Sequence, residues 1–211
     1  MDLDSHSSSG GTGRWGQDRL VDVLHRWHEC ASGPLRGGRF EKTTDPEEPS
    51  DHGLGRSRGG FGSKIHLITD RRGVPIAAKI TAGQDHESRH FASTMELIEV
   101  RRPSGQRRKR PQAIAGDKGF SYPRVRQWIG RHGMKAVIPL KSNEIDRMPQ
   151  THAAFDPHAY RDRNVVERCV GWLKECRRIM SRFEKLAINF LTFVHIAMIE
   201  RLLRIGLSDS A

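Results

Sequence analysis

Hydrophobic and polar positions alternate along residues 63–70, where Ile65, Leu67 and Thr69 are interleaved with Lys64, His66 and Ile68. That period of two predicts a strand. The run Arg71-Arg72-Gly73-Val74 then turns the chain, and Pro75 opens a second run, PIAAKITAG, so the two runs predict a β-hairpin. From about 87 to 99 the spacing changes, and Phe91, Met95 and Ile98 recur at helical intervals. The short apolar run Ala113-Ile114-Ala115 predicts a further strand, ending at Gly116-Asp117. A helix is expected over about 123–131, with Pro123 in its first turn and Gly133 as its stop. KAVIP (135–139) reads as a short buried strand. Strand, helix and strand in that order are the signature of a parallel βαβ unit.

Further along, residues 141–158 are polar and contain prolines, which predicts a loop. One long helix is expected from 160 to about 182, with Val166, Cys169, Leu173, Cys176 and Met180 as its core stripe. A last helix, 186 to about 205, is apolar on most faces until Glu200, so it should be buried or lie at a subunit contact. Trp128, Trp172 and Phe183 are expected in the core. Before the hairpin, residues 1–17 are Ser/Gly-rich and read as disordered. Residues 18–30 suit a short helix or a strand, and 31–60 an extended linker. Its segment 55–60 forms a flexible basic loop able to bring Arg56 and Arg58 to phosphate. The expected division is an irregular segment over 1–53 and one α/β domain over 54–207.

Charge narrows the partners. The 211 residues carry a formal net charge of +11 and a pI near 10.2, which points to a polyanion bound through phosphate neutralisation. Residues 101–110 hold six basic side chains and no acidic one. They suit a solvated loop and a nucleic-acid backbone contact about equally. Cys30, Cys169 and Cys176 are odd in number and form no CxxC, which argues against a disulfide framework or a zinc site and for a reducing compartment. The start has no apolar core of a signal peptide, and residues 186–199 are too short to span a bilayer, so a membrane is not expected.

Candidate chemistry lies on the 160–182 helix. Tyr160, Arg163, Glu167 and Lys174 share one face at 3.6 residues per turn. Glu167 beside Arg163 is, taken alone, a surface ion pair worth a few tenths of a kcal/mol. Asp117 at a strand's C-terminal end raises a second reading, because open α/β sheets carry functional carboxylates there. Carboxylates that meet across a cleft supply the oxygen ligands magnesium needs for phosphoryl transfer.

The run Tyr160-x2-Arg163-x3-Glu167-x6-Lys174 resembles the Y-x2-R-x3-E-x6-K signature of bacterial insertion-sequence DDE transposases. Asp117, within Ala115-Gly-Asp-Lys-Gly-Phe120, looks like the second Asp of that family's triad, and LGRSRGGFGSKIHL (54–67) looks like a stretch typical of the group. The resemblance covers about residues 45–205. It implies a ribonuclease-H-like mixed sheet flanked by helices, with a helical C-terminus, and Mg2+ (Mn2+ substituting) held by Asp117 and Glu167. Tyr160, Arg163 and Lys174 would position double-stranded DNA near the metals. The implied reaction is hydrolytic nicking at element ends, then attack of the freed 3′-hydroxyl on target DNA. The implied setting is a homo-oligomer on DNA in the bacterial cytoplasm, associated with the nucleoid.

The family's first Asp belongs to a motif of Asp-Gly-Thr type, which this sequence lacks. Counting back from Arg26 puts that Asp at Val21, so Asp22 is the candidate third metal ligand; Asp18 is a weaker one, and Asp70 reads as a turn residue. The family's N-terminal DNA-binding region is expected to be absent or replaced by the Ser/Gly-rich start, as in a truncated or frame-shifted copy. A catalytically inactive DNA-binding remnant is therefore the alternative. A ribonuclease-H-like nuclease without strand transfer is a third reading, which the Tyr-Arg-Glu-Lys spacing opposes. His86 and His90 lie four apart and suit a solvated helix start better than a metal site.

Overall fold

The computed structural model describes residues 22–32 as backbone, and residues 52–57, 60–101 and 104–208. Residues 1–17, Asp18 and Arg58, on which expectations fell, lie outside the described residues. The hairpin forms as the alternation requires. Strand β3 (Gly60–Thr69) pairs antiparallel with β4 (Pro75–Ala82), and the short β2 (Gly55–Ser57) pairs with the start of β3. Asp70 makes the turn: its Oδ1 accepts from the backbone N–H of Arg72 and of Val74, both at 2.9 Å. Gly73 sits there at φ 78°, a conformation glycine adopts without strain.

Strand β1 (Asp22–Ser32) is the centre of the sheet. It runs antiparallel to β3 and parallel to β7 (Ala113–Gly116). Strand β8 (Lys135–Val137) continues parallel beside β7, and β9 (Ser181–Arg182) pairs parallel with the end of β1. A separate two-stranded ribbon joins β5 (Val100–Arg101) to β6 (Arg107–Arg108) within the basic run. β2 and β4 both pair with β3, and with β4 as the outer strand the order is β4-β3-β1-β7-β8. In chain order of these strands that is third, second, first, fourth, fifth, with the second antiparallel. This is the ribonuclease-H-like arrangement. The domain thus takes in a strand from the segment that the sequence assigns to an irregular N-terminus.

Helices cover both faces. On one, α1 (Glu87–Met95) and α2 (Pro123–Arg131) bury Phe91, Met95, Val125 and Ile129 against Ile68, Ala77 and Ile114. On the other, α6 (Asn164–Glu175) and α8 (Ala187–Ser208) bury Cys169, Leu173, Phe190 and Val194 against Ile65, Leu67 and Ala78. Burial pushes the Cys169 thiol up to about 11, as suits a small core residue.

Three expectations are corrected. Residues 141–158 are not a loop but carry α3 (Ser142–Ile145), α4 (Pro149–Ala153) and the start of α5 (Pro157–Arg161). The prolines sit in the first turns of α4 and α5, where a missing N–H costs nothing. Nor do residues 160–182 form one helix. Between α5 and α6 the turn tightens, with Arg163, Val165 and Val166 each donating to the carbonyl three residues back. At Cys176 the backbone is extended (φ −75°, ψ 104°), and α7 (Arg177–Met180) starts in a new direction before β9. Arg182 explains the turn in physical terms. It is 2 % exposed and must face inward to reach its partners, whereas Met180 and Phe183, expected inside, stand out at 54 % and 64 % exposure.

Candidate active site

Asp117 directly follows β7, in extended backbone (φ −77°, ψ 176°). Ala113 and Ala115 pack with Val166 of α6, while Ile114 packs on the α1 side. Strand alternation thus turns Ala113 and Ala115 to the face that α6 covers, and Asp117 follows at the strand's end. Its half-buried carboxylate folds over the strand end and caps the 3-10 turn Lys118–Phe120, Oδ1 accepting from Gly119 N–H at 2.8 Å. Gly116 lets the strand pass close to Phe120, which a Cβ there would meet at 3.3 Å.

Glu167 follows Val166 on α6, so the buried valine sets its position on the same face of the sheet. Its Oε1 lies 2.7 Å from Arg163 Nη2, and the side chain is 36 % exposed. Arg163 in turn stands with Cζ 5.2 Å from the Tyr160 ring centroid. Tyr160 is half-buried, on Phe155 (centroids 5.4 Å apart) and against the Ala113–Val137 cluster. Tyr160, Arg163 and Glu167 thus form one chain of contacts from core to carboxylate, in which the arginine orients the acid. Lys174 is exposed two turns further on, and Arg56 is exposed on β2.

The register of β1 does not bring Asp22 to this place. Asp22 pairs with Ala113, four residues before Asp117, and His25 stands beside Gly116. At about 3.3 Å per residue the offset is roughly 13 Å along the strand. Among the described residues no cluster of three or more His, Cys, Asp or Glu is placed to hold a metal ion. The donor chemistry of Asp117 and Glu167, oxygen only and partly open to solvent, fits a hard divalent cation. His86 and His90 behave as helix-start residues: His86 Nδ1 accepts from Ser88 N–H, and His90 pairs with Asp85 at 3.1 Å.

Sequence reasoning missed Glu87 and Lys64. Glu87 is buried at the start of α1 and pairs with Lys64 at 3.2 Å. A Cβ added at Gly119 would lie 2.8 Å from Asp117 Oδ1 and 3.8 Å from Glu87 Oε2, so the carboxylates approach one turn from two sides. The available signal was a lysine inside a strand whose neighbours Ile65, Leu67 and Ile68 are buried. One consequence is testable. Gly119→Ala should leave the melting temperature nearly unchanged, because the displaced atom ends a short side chain. The same substitution should lower DNA cleavage by about tenfold or more, since reacting groups tolerate little misplacement. Single-turnover nicking beside a thermal melt measures both.

The Transposase DDE domain model matches residues 38–199. The chain belongs to the DDE transposase family. It is 30% identical over 175 residues to the protein assigned as transposase of insertion sequence element IS402 in Burkholderia cepacia, covering 82% of this chain and 72% of the relative. Its match to the corresponding protein of element IS6501 in Brucella ovis is 26% identical over 135 residues, 64% of this chain and 93% of the relative. Among solved structures it is similar to the Mos1 strand transfer complex, at 14% identity and TM-score 0.32, covering 73% of this chain. The chain spans about half the length of that Mos1 chain, 54%. The signature tyrosine, arginine and glutamate of this family member are the residues that the fold links from core to carboxylate.

Proposed function

We propose that this transposase domain cleaves DNA at the ends of an insertion sequence and joins the freed 3′-hydroxyl to target DNA, acting on the bacterial chromosome in the cytoplasm. What supports the reading is the matched Transposase DDE domain, together with a strand β7 that ends at Asp117 and packs on α6, the helix that carries Glu167. Asp117 and Glu167 would hold a divalent cation, Mg2+ or Mn2+. When bound, that cation supplies charge stabilisation to the in-line displacement at phosphorus. Asp22 is proposed as the third acid, and the β1 register asks more of it than of the other two. Arg163 orients Glu167, while Lys174, Arg56 and Arg58 would neutralise DNA phosphates. Tyr160 holds Arg163 in place. Nicking of a labelled duplex carrying the element's ends, with and without divalent cation, tests the reading. DNA binding without cleavage would identify an inactive remnant instead.

A homo-oligomer on DNA belongs to the same proposal. One stripe of α8 packs inward through Phe190, Val194, Ala197 and Met198. The other leaves Ile196, Ile199, Leu203 and Leu207 between 54 % and 71 % exposed, at spacings of three and four. That stripe suits a second copy's helix. Ile199→Glu with Leu203→Glu should convert a dimer to monomer in light scattering, with an unchanged melt at low protein concentration. A wild-type chain that is monomeric with and without DNA would exclude the dimer.

A further inference from the structure

A pocket of about 380 Å3 opens where the starts of α1 and α2 meet, lined by His86, Ser88, Arg89, Tyr122, Pro123 and Arg124. His86 precedes α1 and Tyr122 precedes α2. Their side chains are tied together: Tyr122 Oη and His86 Nε2 are 3.1 Å apart, and the rings meet edge to face with centroids at 5.1 Å. Tyr122 also gathers cations. Lys141 Nζ lies 4.0 Å from its ring centroid and Arg124 Cζ 5.9 Å. Arg124 donates to Ser88 Oγ at 2.6 Å.

Neither Arg89 nor Arg124 has a carboxylate partner among the described residues. Glu87, at the start of α1, pairs through Oε1 with Lys64 at 3.2 Å, and its Oε2 lies 3.8 Å from His86 Nδ1. Two guanidinium groups facing one pocket repel, and an anion between them relieves that repulsion. The two helix starts add partial positive charge, and that of α2 carries no side-chain cap. Tyr122 comes shortly after the 3-10 turn that Asp117 caps. Three residues at about 2 Å and two at about 3.3 Å of rise put Tyr122 at most about 13 Å along the chain from Asp117, within reach of a strand held at both places.

Building on the DNA-cleaving reading above, we propose that this pocket binds one backbone phosphate of the DNA strand beside the cleaved bond. Arg89 and Arg124 fork its oxygens, Ser88 contributes its hydroxyl, and Tyr122 with Lys141 holds the wall. None of these residues belongs to the Tyr-Arg-Glu-Lys signature.

The test is a salt titration of DNA binding by the full chain, read by fluorescence anisotropy on a short labelled duplex. Arg89→Ala with Arg124→Ala should make the slope of log K against log salt shallower by about 0.9, the change expected when one phosphate is no longer neutralised. Arg89→Lys with Arg124→Lys should retain the slope, because it keeps both charges. Arg177→Ala with Arg204→Ala, equal in charge and on α7 and α8 across the sheet from α1 and α2, should leave it unchanged. Matching thermal melts establish that all variants are folded. Wild-type binding with an unchanged slope in the first variant overturns the pocket assignment and leaves the transposase reading standing. An equal change of slope in the distant control also overturns it, as diffuse charge. A wild-type chain that binds no DNA overturns both.

Discussion

Asp117→Asn is expected to lower divalent-dependent nicking by roughly a thousandfold while leaving the fold intact. Asparagine keeps the shape of the side chain, and its amide oxygen can still accept from Gly119 N–H, so the cap on the 3-10 turn survives. What disappears is a negative charge at a cation's ligand position. If that ligand supplies about 4 kcal/mol of transition-state stabilisation, its removal costs about three decades in rate. Glu167→Gln should act similarly on rate. It should barely move stability, since its ion pair with Arg163 is partly exposed and such pairs contribute about 1 kcal/mol at most. Single-turnover nicking of an end-bearing duplex at saturating Mn2+ reads all of this. Asn and Gln variants at wild-type rate would remove Asp117 and Glu167 from the site. Asp22→Asn belongs in the same series. Abolished cleavage there would mean that β1 works in a register about four residues from the one described, and unchanged cleavage would free Asp22 of any role.

Arg182→Ala should lower stability by about 4 kcal/mol, or roughly 10 °C in melting temperature for a chain of this size. The guanidinium is buried and spends its donors on the carbonyls of His52, Gly53, Glu184 and Lys185 and on Ser63 Oγ. Its Cζ also lies 5.1 Å from the Phe190 ring centroid. One side chain therefore joins the segment before β2, the start of β3, the turn before α8 and α8 itself. Removal leaves several buried carbonyls without a donor, and each of these costs about 1–3 kcal/mol before relaxation. Arg182→Lys should recover less than half, because an ammonium offers three donors from one point and not a planar fork. A thermal melt followed by far-UV circular dichroism decides it. A shift under about 3 °C would mean that water replaces the arginine, and that the clasp is not a stabilising element.

Much of the architecture was legible locally. The alternation of Ile65, Leu67 and Thr69 with a glycine-bearing turn identified the hairpin, and Pro123 and Gly133 bracketed α2 closely. Asp117 became a candidate because an apolar run stops at it. Glu167 became one through a spacing pattern, not through charge, since Glu167 beside Arg163 looks like any surface pair. Lys64 and Glu87 escaped because their meeting depends on α1 folding back over β3, residues far apart in sequence. The break at Cys176 escaped because helical periodicity runs on through it. No proline or glycine marks the end of α6, and the burial of Arg182 is set by partners more than a hundred residues away.

Residue order and spacing were enough to specify the order and type of most elements and the family, and they named Asp117 and Glu167 as the candidate carboxylates. These follow from periodicity, turn chemistry and spacing, all of which act within a few residues of each other. It took the folded arrangement to make Asp22–Ser32 the central strand and to pair Asp22 with Ala113 and not beside Asp117. The same arrangement brings two helix starts together on one cationic pocket. Strand pairing and helix convergence are contacts between distant segments, and their register is set by which backbone edges and apolar faces remain to be satisfied once the local elements exist.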